Sequence, residues 1–334
     1  MRRTVALLIA APLFGLAAAH AEVSELNIPK GAGGLGFLPL LVMEHEGLVE
    51  KHARAAGLGG LTVRYINLGG PAVVNDALIS GAAHLVPAGP PAFLTTWGRT
   101  RDSLKIKGVA AMTSMPMYLN TRSDRIKSLD DVTEADKIAV TAVKVSIPAI
   151  IMQIYAKKKY GADDYTKFDR FTVSLTHPDG VISMMSGRGE VDMHYTSPPF
   201  HQRERKDPRI RTIQTSDQVM GGPSTFTMLY TTTKFHDDNP KTYRAILDAL
   251  TESIAMINAD KRAAARIFLD SSDGKGWTED EIVAVLNDPD NKFTTSPQNV
   301  MTYANFMNDV GTLKSRPASW QDLFFPEIHG VAGN

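Results

Sequence analysis

Three glycines, Gly31, Gly33 and Gly36, stand in the spacing G-x-G-x-x-G within residues 29–39. That spacing lets backbone N–H groups approach a pyrophosphate, the chemistry of a dinucleotide-binding turn. It suits a cleft for another solute, or a plain glycine-rich turn, equally well. His177-Pro178-Asp179 and Asp192-Met193-His194 bring imidazoles close to carboxylates, a combination that can ligate a metal. Asp192 and His194 share one face of a strand, but nothing fixes a third ligand, so no metal is expected. His177 and His194 read instead as polar strand ends or hydrogen-bonding groups for a ligand. The hydroxyls of Ser146 and Ser197 are open to two readings, ligand contact or capping of the following backbone. Met112, Met115 and Met117, and again Met184, Met185 and Met193, read as core, with Met115 and Met117 also able to line an adaptable apolar wall. For catalysis there is no G-x-S-x-G elbow, no cysteine and no informative carboxylate pair, and His45 and His52 do not make H-E-x-x-H. No catalytic residue and no cofactor is expected.

The elements that would position these groups alternate. A short extended run at 26–28 enters the glycine turn, and an apolar helix from 38 runs to Gly47. A strand at 61–66 stops at Gly69-Gly70-Pro71, a helix follows at 72–79, and a strand at 84–86 ends in Pro87-Ala88-Gly89-Pro90-Pro91 before a helix at 92–97. This recurrence of strand, glycine or proline turn and helix predicts a parallel sheet with helices packed on it. A strand at 106–112 leads to another at 118–120, and the alternation resumes. Strands are expected at 137–141, 171–175 and 190–195, with helices from Ser146 (its N-cap) to Tyr160 and from Pro178 to Met185. A second α/β lobe is the economical reading. After a β-rich run at 225–231 the pattern becomes helical. Asn239-Pro240 opens an amphipathic helix, Thr278 and Glu281 form a capping box, and Ser296-Pro297 opens another helix. This helical tail is expected to return to the first lobe.

The whole chain narrows the function. Arg2-Arg3, an apolar run at 5–16 and Ala19-His20-Ala21 have the form of a secretory leader cleaved after Ala21. No apolar stretch is long enough to span a bilayer, so membrane insertion is not expected. The absence of cysteine removes both a disulfide framework and a lipidated cysteine, leaving the periplasm as the simplest compartment. Loss of Arg2 and Arg3 with the leader takes 36 basic residues to 34 against 36 acidic ones. Near-neutrality gives no electrostatic reason for a nucleic-acid partner. The 313 residues that remain of 334 exceed the roughly 250–300 at which single cores divide.

In sequence order, Leu38-Pro39-Leu40 to Glu46-Gly47-Leu48, Asp76 to His84, Ser128-Leu129-Asp130-Asp131-Val132 before Lys137 to Val140, and Ser186 to Asp192 carry a likeness over nearly the whole mature chain. They resemble "pl..a.e.Glfe", "ealasGelDi" and the second lobe's "aGevDa" of the nitrate, taurine and alkanesulfonate branch (NitT/TauT, SsuA-like, NMT1/THI5-like) of periplasmic solute-binding proteins of ABC importers. Two departures stand out: Ala82-Ala83-His84 where an acidic residue is common, and Ala88-Gly89-Pro90-Pro91 where Gly-Asp-x-Pro is common. An apolar loop there argues against taurine or another amine-bearing ligand.

The resemblance implies a type II periplasmic binding protein, α/β, with two lobes joined by two crossover strands, a ligand cleft between them and a helical C-terminal tail. Lobe I would comprise residues 22–117 plus 223–334, and lobe II residues 118–222. Ligands of open α/β sheets bind beyond the carboxyl ends of strands, where helix N-termini offer unpaired N–H groups. The candidate contacts are therefore Gly33, Gly34, Leu35 and Phe37; Gly70 and Pro71; Gly89 and Pro90; Met115 and Met117; Val145 and Ser146; His177 and His194; and Thr196 and Ser197.

The expected function is capture of a small organic solute, anionic or amphipathic and sulfonate-, carboxylate- or pyrimidine-like, by a monomer that delivers it to an inner-membrane ABC permease. A sensor that presents its closed form to a membrane receptor is the alternative from another class. An enzyme on this fold is disfavoured: the related thiamine-pyrimidine synthases depend on a cysteine-rich motif, and an oxidoreductase would need an acid after Ile66, where Asn67 stands.

Overall fold

The computed structural model describes residues 21–187 and 191–334. The expected leader up to His20 lies outside the described residues, as do Arg188, Gly189 and Glu190 of the second-lobe likeness. The strands, in chain order, are β1 (Glu25–Pro29), β2 (Thr62–Ile66), β3 (Leu85–Ala88), β4 (Lys107–Ser114), β5 (Tyr118–Thr121), β6 (Ile138–Val140), β7 (Thr172–Ser174), β8 (Met193–Thr196), β9 (Arg211–Thr215), β10 (Thr225–Thr231) and β11 (Lys292–Phe293).

They form two lobes with one plan. In the second, the order is β7-β6-β8-β5-β9, with β6 parallel to β7 and β8 and with β5 antiparallel to β8 and β9. In the first, β10 lies antiparallel between β3 and β4, β11 adds an edge, and β1 pairs in parallel with β2. The β1-β2 pair joins the rest where the His84 N–H donates to the Asn27 carbonyl (3.0 Å) and the His84 ring nitrogen Nδ1 accepts from the Asn27 N–H (3.0 Å). The first lobe then runs β2-β1-β3-β10-β4-β11, the same sequence of roles as the second. The reversed strand in each lobe is the one that has just crossed from the other. β5 enters the second lobe, and β10 re-enters the first, from the side on which the parallel strands end, so each runs backwards.

The crossing segments are buried and tied together. Ser114 Oγ donates to the Ser224 carbonyl (3.0 Å), and the Met117 N–H donates to Ser216 Oγ (2.9 Å) while the Met117 carbonyl accepts from the Ser216 N–H (2.8 Å). The tail returns to the first lobe, as its apolar stripe requires. Tyr243, Ile246, Leu250 and Ile257 of helix Pro240–Ala259 are buried against helices Leu38–His45 and Leu48–Ala55. It also reaches the second lobe: Lys157 pairs with Asp309 (2.7 Å), and the Arg203 guanidinium lies 4.1 Å above the Trp277 ring.

Several local expectations change. The helix read from 38 to Gly47 forms as Leu38–His45, and Gly47, at φ 58°, then heads a second helix, Leu48–Ala55, that was not foreseen. Strand β9 and helices Phe200–Glu204 and Ser216–Met220 were not foreseen. Ser296-Pro297 does not open the last long helix, which starts at Val300 with Asn299 in the left-handed region before it. No helix among the described residues is long and apolar enough to cross a membrane.

Candidate functional site

The sheets place one cleft at the carboxyl ends of their parallel strands. Ala32 and Gly33 follow β1, Gly69 and Pro71 follow β2, and Gly89 and Pro91 follow β3; from the other lobe come Thr141 and Val145 to Pro148 after β6, and His177 after β7. Phe37, Phe226, Thr227 and Met117 close its floor and back. It holds about 600 Å³ of space free of protein atoms, part of it open to solvent. No aspartate, glutamate, lysine or arginine lines it among the described residues.

The glycine turn owes its composition to backbone shape and to packing. Gly31, Gly33 and Gly34 all have φ between 84° and 89°, a region most side chains avoid. The Asp273 carboxylate, from a tail turn, accepts the Gly34 N–H at 2.7 Å and sits where a Cβ on Gly33 would fall. The Gly36 carbonyl is buried and accepts from Thr227 Oγ1 (2.6 Å). The turn is thus fastened to the protein itself on the side where a nucleotide phosphate would be cradled.

Four helices point their N-termini at this cleft, and each carries proline in its first two positions: Pro71, Pro90 with Pro91, Pro148, and Pro178. Proline suits the first turn because its missing N–H has no partner there. It also removes five of the N–H groups that would make such ends anion sites. Ser146 stands at the cap position of helix Ile147–Tyr160, but its hydroxyl does not cap. It donates instead to the Ala142 carbonyl at 2.6 Å.

His177 is the polar end of a buried chain of groups. Its Nδ1 lies 3.1 Å from His194 Nε2 and 3.5 Å from Thr196 Oγ1; His194 Nδ1 lies 2.5 Å from Glu204 Oε1; and Asn120 Nδ2 donates to Glu204 Oε2 at 2.7 Å. Thr212 Oγ1 in turn donates to Asn120 Oδ1 (2.8 Å). Both side chains of the Glu204–His194 pair are 0% exposed. Gly180, inside a helix, makes this possible, because a Cβ there would lie 2.5 Å from His194 Cε1. Burial, together with the adjacent His194, pushes the His177 pKa well below the usual histidine range, so His177 is uncharged at neutral pH. The His177 ring stacks on Phe200 (5.5 Å), and its Nε2 has no hydrogen-bond partner among the described residues.

Of the residues read from sequence, the cleft gathers Gly33, Phe37, Pro71, Gly89, Met117, Val145, Ser146 and His177. The others lie elsewhere. Leu35 and Met115 are buried in the core, Gly34 is turned to Asp273, and Gly70 and Pro90 belong to helix starts whose neighbours face the cleft. His194 and Thr196 stand behind His177, and Ser197, 1% exposed, has a hydroxyl with no hydrogen-bond partner among the described residues. Thr141, Ile147, Pro148, Phe226 and the remote Glu204, Asn120 and Asp273 were not foreseen. Glycine within helix His177–Ser186 was the one sequence hint of a close neighbour.

No family model matches the sequence, and no curated protein matches it. Solved structures do. The alkanesulfonate-binding protein SsuA of Xanthomonas axonopodis pv. citri bound to MOPS is similar over 89% of this chain and 96% of its own, at 14% identity and TM-score 0.67. The periplasmic nitrate-binding protein NrtA of Synechocystis PCC 6803 is similar over 89% and 83%, at 14% identity and TM-score 0.66. The periplasmic aliphatic sulphonate binding protein SsuA of Escherichia coli is similar over 91% and 92%, at 12% identity and TM-score 0.62. At these identities the likeness shows the fold, that of two-lobed periplasmic binding proteins.

Proposed function

We propose that this chain is a solute receptor of the nitrate, taurine and alkanesulfonate branch, exported to the periplasm, which traps a small organic molecule between its lobes and hands it to an ABC permease. The observation that carries this reading is the cleft itself: loops from both lobes, all at the carboxyl ends of parallel strands, enclose one largely apolar space. The lobe junctions fall at 117/118 and 222/223, where the chain crosses twice, and closure is a hinge motion about those crossings. Gly33, Phe37, Pro71, Gly89, Met117, Val145, Ser146 and His177 are the ligand contacts in this reading. The role is binding rather than catalysis: among the described residues the cleft holds no carboxylate pair, and its Ser146 hydroxyl is bonded to the Ala142 carbonyl rather than to a base.

A thermal-shift screen of the mature chain, freed of carried-over ligand by unfolding and refolding, tests this. A solute at a hundred times its Kd stabilises by about 2.7 kcal/mol, a rise of several degrees. A hit among sulfonates, carboxylates, nitrate, pyrimidines and uncharged aromatic carbonyls is the expected result. A flat response across the panel would remove the basis of the proposal.

A further inference from the structure

Resting on the solute-receptor reading, we infer that the cleft selects an uncharged, mostly apolar solute whose polar end is a hydrogen-bond acceptor. The Nε2–H of His177 donates to it, and Glu204 is the positioning residue that fixes this proton through His194.

The proton assignment follows from charge burial. Glu204 is fully enclosed, its two oxygens are engaged by His194 and Asn120, and among the described residues its ion-pair partner is His194, with no lysine or arginine. An enclosed carboxylate without a counter-charge is strongly disfavoured, so the Glu204–His194 contact holds a proton that leaves the pair neutral overall. With that proton lying between Glu204 and His194 Nδ1, the other imidazole hydrogen sits on His194 Nε2 and points at His177 Nδ1, 3.1 Å away. A neutral His177 that accepts at Nδ1 holds its own hydrogen on Nε2. That nitrogen is the one left without a partner among the described residues, on a residue that lines the cleft. The cleft therefore presents a donor of fixed direction.

The charge preference follows from what surrounds that donor. No lysine or arginine lines the cleft among the described residues, and prolines have removed N–H groups from all four helix ends that face it. The Asp273 carboxylate stands at the Gly33–Gly34 rim. An anion entering here would give up its water for one neutral side-chain donor and helix ends already short of five N–H groups, beside a negative charge. An uncharged acceptor loses far less on desolvation, and its apolar remainder meets Phe37, Pro71, Pro91, Met117 and Phe226.

The test uses four probes on one ring: acetophenone, α-methylstyrene (the same shape with no acceptor), benzoate and benzenesulfonate. Each is titrated by calorimetry into the mature wild type, His177→Phe and Glu204→Gln, and the tautomer of His177 is read from ¹⁵N-histidine spectra. In the wild type, Nε2 should be protonated, and acetophenone should bind about 10-fold tighter than the other three. His177→Phe should erase the gap between acetophenone and α-methylstyrene. In Glu204→Gln the side-chain oxygen keeps the Asn120 bond and the amide N–H donates to His194 Nδ1, so His177 should keep its Nε2–H and the acetophenone preference should survive; Glu204→Leu, titrated alongside, offers His194 no partner and should shrink that preference in a chain that still melts cooperatively. An unprotonated Nε2 in the wild type overturns the inference, as does a failure of all four probes to bind. Tightest binding by benzenesulfonate or benzoate, unchanged in His177→Phe, overturns it too, while leaving the receptor reading standing. A flat response to the broader thermal-shift panel would instead sink the receptor reading.

Discussion

Gly89 gives the sharpest mechanical prediction. It sits on the first lobe at φ −82° and ψ 164°, a backbone conformation open to any residue, so Gly89→Ala adds no local strain. What the new methyl would meet is the other lobe. A Cβ at Gly89 would lie 2.3 Å from Ile147 Cδ1 and 2.7 Å from Cγ1, and 3.1 Å from the Phe226 carbonyl. The Phe226 contact is tight but tolerable. The Ile147 contact requires that side chain to leave its rotamer or the lobes to stay apart. Overpacking of this kind costs about 1–3 kcal/mol. The cost arises only in the closed form, so it appears as weaker ligand binding, roughly 5- to 150-fold, because apparent affinity scales with the population of the closed form. The ligand-free melting temperature should scarcely move. Calorimetry with any confirmed solute measures this, and Ile147→Ala completes a double-mutant cycle by removing the clashing atoms. The two substitutions together should bind more tightly than Gly89→Ala alone. Wild-type affinity in Gly89→Ala, or strictly additive effects in the cycle, would refute the reasoning that these two residues meet on closure.

Two further outcomes are expected. Burial alone would raise the Asp136 pKa, but its bonds from Arg125 Nη2 (2.5 and 2.6 Å) and from the Thr133 N–H and hydroxyl (2.7 and 2.8 Å) outweigh that and hold it below the usual carboxylate range. The stability this provides is present above the unfolded pKa of about 3.9 and is lost as pH falls through the lower folded value. Asp136→Asn should therefore destabilise by about 1–3 kcal/mol at pH 7 and by progressively less below about pH 4 in denaturant melts. Asp273→Ala strips the acceptor from the Gly34 N–H and should lower stability by about 1.5–3 kcal/mol in the same melts, with weaker ligand binding as the Gly33–Gly34 rim loosens.

What could be read from sequence was whatever the chain writes locally. Strand β10 is a seven-residue β-rich run buried throughout, and its bounds match the expectation. The Thr278 and Glu281 capping box forms with both of its bonds, since all its partners lie within four residues. Strand β9, Arg-Thr-Ile-Gln-Thr and half-buried, carries too little apolar contrast to announce itself, and its place at the sheet edge is decided by pairing with β5. Strand order escaped for the same reason: the reversal of β5 and β10 follows from where the chain enters each lobe. The site divided along this line. Loop positions such as Gly89 and His177 were visible as turns at strand ends. Glu204 was not, because its meaning depends on Asn120, 84 residues away, and on His194 across a helix. Ser146 misled because a serine before Ile-Pro has the form of a cap, while its hydroxyl found the Ala142 carbonyl.

The central claim is that the two lobes close on a solute. Small-angle X-ray scattering of the mature chain, first emptied by unfolding and refolding and then resupplied with the small molecules released from it, measures that closure directly. The radius of gyration should fall on resupply and stay at the emptied value when the extract is withheld. Indistinguishable scattering curves, with the extract shown by mass spectrometry to contain no retained solute, would contradict it.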